Sequence, residues 1–235
     1  MDKHIIVYDT ETDGTDCKTA NPIQLAAVAV DGLRLEIIPN SEFYSWIKPD
    51  NIDVPNYVEQ NKSTLDFHCR NYKLSMDDLM AKIRNAPSEK QVWASWKEYI
   101  SKYHSKPSSQ NIFSAPRFCG YNVDAFDFPI LERLCAKYGD VDKNGNQKMW
   151  LGRDTIDIMK IVIYWLQFVR EVKSYNMDTV REYFELPAGQ AHDALFDVQQ
   201  EALMLIKFLK LSKKFAPQIK FKGSCNPKGN SNAEA

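Results

Sequence analysis

The stretch that decides the fold is HIIVYDTETDG, residues 4–14. Its first half is an apolar run, rich in β-branched residues and of strand length, so it reads as a buried strand. Its end is unusual. Asp9 and Glu11 stand one residue apart, and strand side chains at i and i+2 share a face, so both carboxylates project from one side of the strand's C-terminal end. Two adjacent anions repel unless a cation lies between them. Hard oxygen donors of this kind suit Mg²⁺ or Mn²⁺.

The surroundings are strand-rich first and helix-rich later. PIQLAAVAV (22–30) is a second strand, LRLEII (33–38) follows the Asp31-Gly32 turn signal, and FYSWIKP (43–49) reads as an edge strand. SMDDLMAKIRNA begins with a capping-box-like Ser75-x-x-Asp78, and SEKQVWASWKEYISKY carries Val92, Trp96, Tyr99 and Tyr103 at helical spacing, an arc read as core. RFCGYN is a short strand. AFDFPILERLCAKYG is a helix with Gly139 as its stop signal. RDTIDI is a further strand, and helices are expected over IMKIVIYWLQFVRE, MDTVREYFEL and DALFDVQQEALMLIKFLKLSKK. Strands followed by helices alternating with short strands indicate an α/β or α+β domain on a mixed sheet. DVDKNG (140–145) begins like a calcium loop, but Leu151 stands where the closing Glu belongs, so it reads as a polar turn.

The chain has 235 residues, of which 44% are hydrophobic, enough for a substantial core, and its net charge of −1 gives no bulk attraction to nucleic acid. Five cysteines at wide spacings, without a CxxC pair, fit reduced thiols and exclude a disulfide framework or zinc site. The longest apolar stretch contains Asp157 and Lys160 and is too short for a membrane span. The expectation is a cytoplasmic protein with no membrane partner.

Two further segments carry carboxylates in a suggestive setting. In GYNVDAFDFPIL (120–131), a strand gives way to Asn122, and Asp127 sits in the first turn of the next helix, with Asp124 as the expected N-cap. In QAHDALFDVQQEALML (190–205), Asp193 is placed to cap a helix, Asp197 lies one turn in, and His192 lies just outside. His4, His68 and His104 have no such setting and are read as structural or solvated.

Asp9-x-Glu11, Asn122-x-x-x-Phe126-Asp127 and His192-x-x-x-x-Asp197 together resemble the three motifs of the DnaQ-like 3′–5′ exonuclease superfamily, in its DEDDh branch. Residues 4–210 carry them in the expected order. YDTETDG, NPIQLAAVAVD and AHDALFDV add similarity in the style of bacterial single-strand exonuclease I. The three residues between Asn122 and Phe126 resemble the spacing of exonuclease I and of family-B proofreading domains, where the commonest branch pattern has two.

The resemblance implies a ribonuclease H-like mixed sheet flanked by helices, formed by residues 1–215; after about residue 215 Gly, Asn, Ser and Pro accumulate and apolar periodicity fades, so 216–235 reads as a basic, flexible tail. It implies that Asp9, Glu11, Asp127 and Asp197 hold two Mg²⁺ (or Mn²⁺) ions, whose charge cancels about −4 on the carboxylates. Asp9 is expected to bridge the two ions, and His192 to act as general base. Thr10, Thr12 and Asn122 are assigned to substrate binding, and Gly14 to close approach of the terminal nucleotide. Phe126 and Phe128 are read as core, while Trp46, Tyr57 and Phe67 are candidates for stacking bases. The implied substrate is single-stranded nucleic acid, DNA ahead of RNA, cut from the 3′ end to nucleoside 5′-monophosphates; protein partners are not specified. The alternatives are 3′ trimming of RNA and a non-catalytic binding or polymerase-associated module. From Lys207 to Lys228 there are seven lysines and no acidic residue, a segment suited to a phosphate backbone or to plain solvation.

Overall fold

A computed structural model describes residues 3–108, 110–187 and 193–218. Six strands form one sheet: β1 Ile5–Thr12, β2 Pro22–Asp31, β3 Glu36–Ile37, β4 Phe43–Trp46, β5 Arg117–Gly120 and β6 Ile156–Asp157. Their order is β3-β2-β1-β5-β6, with β4 also paired to β2. The β1–β2 pair is antiparallel and the β1–β5 and β5–β6 pairs are parallel, so the sheet is mixed as expected. The helices are α1 Tyr57–Gln60, α2 Lys62–Tyr72, α3 Met76–Arg84, α4 Glu89–Ser101, α5 Asp127–Lys137, α6 Ile158–Leu166, α7 Met177–Tyr183 and α8 Ala194–Phe215.

Period-two alternation splits β1 between two cores. Ile5 and Val7 join Ala26 and Val28 of β2 against α8, where Val198, Ala202 and Leu205 meet them. Ile6 and Tyr8 face the other way, onto Trp96 of α4 and Phe128 and Leu131 of α5. The aromatic arc of α4 is core as its spacing suggested: Trp96 is fully buried and stacks on Tyr99. A third, smaller core joins Ile23 to Tyr57, Leu65, Leu79 and Ile83 and fastens α1–α3 to the sheet edge.

Local chemistry sets several boundaries. Ser88 and Gln91 form a reciprocal capping box at α4, and Ser75 accepts from Asp78 N–H at α3. Asp193 caps α8 through Phe196 N–H, and Gly139 adopts φ 75° two residues past α5. Asp142 accepts from the N–H groups of Asn144 and Asn146, which makes 140–146 a polar turn.

Three expectations need correction. The hairpin after Asp31 is wider than the dipeptide signal implied. Asp31 accepts from the N–H groups of Leu33 and Arg34, Leu35 takes φ 58°, and the returning strand shrinks to Glu36–Ile37. The strand expected over RDTIDI is only Ile156–Asp157, preceded by a 3₁₀ turn. Asp124 is not the cap of α5: its carboxylate pairs with Lys160, and Phe126 holds the N-cap position with no side-chain bond.

Candidate active site

The alternation that splits the core also distributes the site. Asp9 and Glu11 continue the Ile5–Val7 face and therefore point toward α8. There Asp197, one turn into the helix, meets them: one carboxylate oxygen from each of Asp9, Glu11 and Asp197 lies within 4.8 Å of the others. Three carboxylates at that separation form a set of hard oxygen donors, the chemistry Mg²⁺ and Mn²⁺ require. Asp9 and Glu11 keep some solvent exposure, while Asp197 is buried.

Thr10 points to the opposite face, and Asp127 at the start of α5 arrives there. The Thr10 N–H and hydroxyl both donate to Asp127 Oδ1, at 3.1 and 2.5 Å. Thr10, assigned to substrate binding, commits both its donors to the second-motif aspartate. Withdrawal from water raises the Asp127 carboxyl to about 7 against the opposing pull of those Thr10 hydrogen bonds. Asp9 and Glu11 are also pushed well above the ordinary range. Burial comes first, followed by Asp127 and then Glu201 for Asp9, and by Asp197 and then Asp127 for Glu11. The carboxylates oppose one another's ionisation, which is what a divalent cation relieves.

Asn122 adopts φ 59°, a left-handed conformation that Asn tolerates, and its N–H donates to Asp157 Oδ1 at 3.0 Å. Asn122 is exposed. Thr12 is buried; its hydroxyl donates to Gly14 O and its carbonyl receives His68 Nε2 at 2.8 Å. His192 lies outside the described residues.

Four residues of the site escape the motif reading. Glu201, one turn beyond Asp197, is 2% exposed. It accepts from Tyr121 N–H, and its Oε2 has no hydrogen-bond partner among the described residues. Burial, then Asp127 and Asp197, push its carboxyl well up. Gly120 gives room to the Val123 turn and the Tyr8 carbonyl: a Cβ there would stand 2.2 Å from Val123 Cγ1 and 2.6 Å from Tyr8 O, while Glu201 Oε2 at 3.6 Å would be in ordinary contact. Arg181 of α7 donates to Asp197 and, at 3.2 Å, to Asp178. Asp13, just past β1, accepts from Asn21 and from the Tyr57 hydroxyl at 2.8 Å and anchors the turn to α1. His68 of α2 is a buried structural residue, in line with one of the two readings given to it, and it turns Nδ1 toward Glu11 Oε2 at 3.7 Å. The signal that could have found it was absent, because α2 reaches the site only through the third core.

Beside Glu11 opens a cleft of about 390 Å³, bordered by Thr12, Gly14, Ser63, Thr64, Phe67 and Phe126, with Arg70 at its rim. Phe128 is core as expected, but Phe126 is half-buried and faces the cleft, against the core reading. Of the stacking candidates, only Phe67 borders the cleft. Tyr57 is buried on Asp13, and Trp46 packs on Tyr72 and under Lys82. No helix among the described residues is long and apolar enough to cross a membrane.

No family model matches the sequence, and no curated relative matches it significantly. Solved structures do match in fold. Cell-death related nuclease 4 (CRN-4) superposes with a TM-score of 0.59 at 16% identity, covering 89% of this chain and 64% of that one. E. coli exonuclease I, in the zinc-ion-bound form of its complex with single-stranded DNA, gives 0.58 at 17% identity, over 92% of this chain and 42% of that one. Exonuclease I from Methylocaldum szegediense gives 0.57 at 21% identity, over 92% and 41%. The chain thus spans about two-fifths of the length of exonuclease I, and the likeness is one of fold: a mixed sheet with flanking helices is shared with these nucleases.

Proposed function

We propose that this chain is a metal-dependent 3′–5′ exonuclease of the DEDDh type that removes nucleoside 5′-monophosphates from single-stranded DNA. The observation that carries this reading is the convergence of Asp9, Glu11 and Asp197, from the first strand and the last helix, to within 4.8 Å. In support, Asp127 is clamped beside them by Thr10.

Asp9, Glu11, Asp127 and Asp197 would hold two Mg²⁺ or Mn²⁺ ions. Such ions, when bound, supply positive charge to the entering and leaving oxygens of a displacement at phosphorus. His192, five residues before Asp197, is assigned the general base, since a neutral imidazole is available near pH 7. The cleft beside Glu11 suits the terminal nucleotide. Phe67 and Phe126 offer rings for base stacking, Arg70 a cation for phosphate, and Ser63 and Thr64 hydroxyls for the sugar and backbone. Residues 1–215 are read as the catalytic unit, with the lysines beyond Lys207 following the nucleic-acid backbone. Cys17, Cys69, Cys119 and Cys135 are unpaired, in keeping with a reducing, cytoplasmic setting.

The test is incubation of 3′- and 5′-labelled DNA and RNA oligomers with Mg²⁺, with and without EDTA. Stepwise loss from the 3′ end of single-stranded DNA, stopped by EDTA, supports the reading. Preference for RNA makes it an exoribonuclease. Binding without cleavage makes it a nucleic-acid-binding module.

A further inference from the structure

Arg181 lies outside all three acidic motifs, yet it is built into the cluster they form. It sits on α7, whose N-cap Asn176 accepts from Thr179 N–H, and its side chain is only 8% exposed. One arm of the guanidinium donates to Asp197 and the other reaches Asp178 at 3.2 Å. The two anchors differ in kind. The Asp197 side chain is 12% exposed and belongs to the carboxylate cluster; that of Asp178 is 68% exposed, at the surface. The Phe196 ring lies 5.7 Å from the guanidinium carbon and supports it from one side. The same positive charge acts on Glu201, whose carboxyl it pulls down against burial.

A guanidinium is permanently charged and cannot step aside by losing a proton. Without a cation, Asp9, Glu11 and Asp197 would face one another in surroundings partly closed to water, with the buried Asp127 and Glu201 near enough to add to the repulsion. A divalent ion and Arg181 compete for the same carboxylate of Asp197. They also repel each other, and at short range in a protein that repulsion is strong.

We propose that Arg181 is a resident counter-ion: it holds Asp197 and the surrounding acids together when no metal is bound, and a divalent ion displaces it toward Asp178 to take Asp197 as a ligand. The proposal rests on the reading that the cluster binds divalent ions, and it adds that this chain sets its own metal affinity through a residue of α7. The two neighbours of the cluster then act in opposite senses. Loss of the guanidinium removes both a competitor and a repelling charge. Loss of the Asp178 charge leaves the guanidinium no second anchor and keeps it on Asp197.

The test is calorimetric titration of the full chain with Mn²⁺, for the unsubstituted protein, Arg181→Met, Asp178→Asn and Val180→Ala. Arg181→Met tightens Mn²⁺ binding by about tenfold or more and lowers the unfolding temperature of the EDTA-treated protein. Asp178→Asn weakens binding by roughly threefold or more, since the surface charge that draws the guanidinium outward is gone. Val180→Ala, a core truncation on the same helix, lowers stability without changing Mn²⁺ affinity. Opposite signs for Arg181→Met and Asp178→Asn are a signature that a purely structural role does not produce. Arg181→Met binding equal to or weaker than the parent, or Asp178→Asn binding unchanged or tighter, overturns the proposal. If Arg181→Met does not fold, Asp178→Asn decides alone. Absence of Mn²⁺ binding in the parent protein overturns the functional reading together with this proposal; parent binding with neither shift overturns this proposal only.

Discussion

His68 Nδ1 faces Glu11 Oε2 at 3.7 Å, while its Nε2 lies 2.8 Å from the carbonyl oxygen of Thr12. A carbonyl only accepts, so Nε2 carries a proton and the ring is locked in orientation between Phe67 and Tyr72. One buried imidazole thus ties α2 to the end of β1 through Thr12 and sets its other nitrogen beside Glu11, where the β1–β2 register also shifts between Glu11 and Thr12. Phe at position 68 keeps the shape and removes the Thr12 hydrogen bond together with the nitrogen that faces Glu11. His68→Phe is expected to cut activity by about 10–100-fold, the range for residues that orient metal ligands. Steady-state kinetics across a range of Mg²⁺ concentrations checks this; unchanged kcat and Mg²⁺ dependence would show that the contact is incidental.

The Thr10–Asp127 clamp predicts a separation between two conservative variants. Thr10→Ser keeps the hydroxyl and is expected to stay close to the parent. Thr10→Val keeps the shape but leaves a buried carboxylate short of a donor, at a cost of about 1–3 kcal/mol in stability. Its activity should fall further than its stability alone explains. Denaturant unfolding and oligonucleotide cleavage on both variants measure the difference.

The raised carboxyls make the metal-free fold sensitive to base. Burial pushes the Asp127 carboxyl up to about 7 in the folded protein, against ~3.9 in an unfolded chain. The fold therefore holds that proton more tightly than the unfolded chain does. The resulting stability is complete below pH ~4 and is lost as pH rises through about 7. Asp9, Glu11 and Glu201 are shifted in the same direction. In EDTA the unfolding temperature should fall between about pH 5 and pH 8, and Mg²⁺ should flatten or reverse the fall because it binds the deprotonated form. Identical pH profiles with and without Mg²⁺ would contradict this.

Phe67 and Phe126 border the cleft from α2 and from the turn before α5. Base–aromatic stacking contributes ~1–3 kcal/mol per base, so Phe67→Ala or Phe126→Ala is expected to raise KM for oligonucleotides by about 5–100-fold. Phe67→Trp should restore binding. The measurement is KM and kcat on a short single-stranded DNA; a loss confined to kcat would place these rings in another role.

Legibility in the sequence followed the range of the interactions. Asp9 and Glu11 were readable because strand alternation is local, and Asp193 and Asp197 because helix caps are local. The mixed sheet followed from the order of strands and helices. Glu201 was not readable: on the helical pattern alone it is one more polar residue in α8, and only the packing of α8 on β1 and β5 buries it. Arg181 and His68 were missed for a related reason. Each lies on a short helix that tertiary packing, and no motif, carries to the cluster. The hairpin after Asp31 went astray because a side chain, Asp31, captured two backbone N–H groups and rebuilt the turn.

Calorimetric titration of the protein and of its Asp9→Asn variant with Mn²⁺ tests the central claim most directly. Convergent carboxylates predict saturable binding near two ions per chain in the parent, and loss of at least one of those sites in Asp9→Asn while its circular dichroism is retained. Absence of binding in the parent, or binding that Asp9→Asn leaves untouched, would contradict the account.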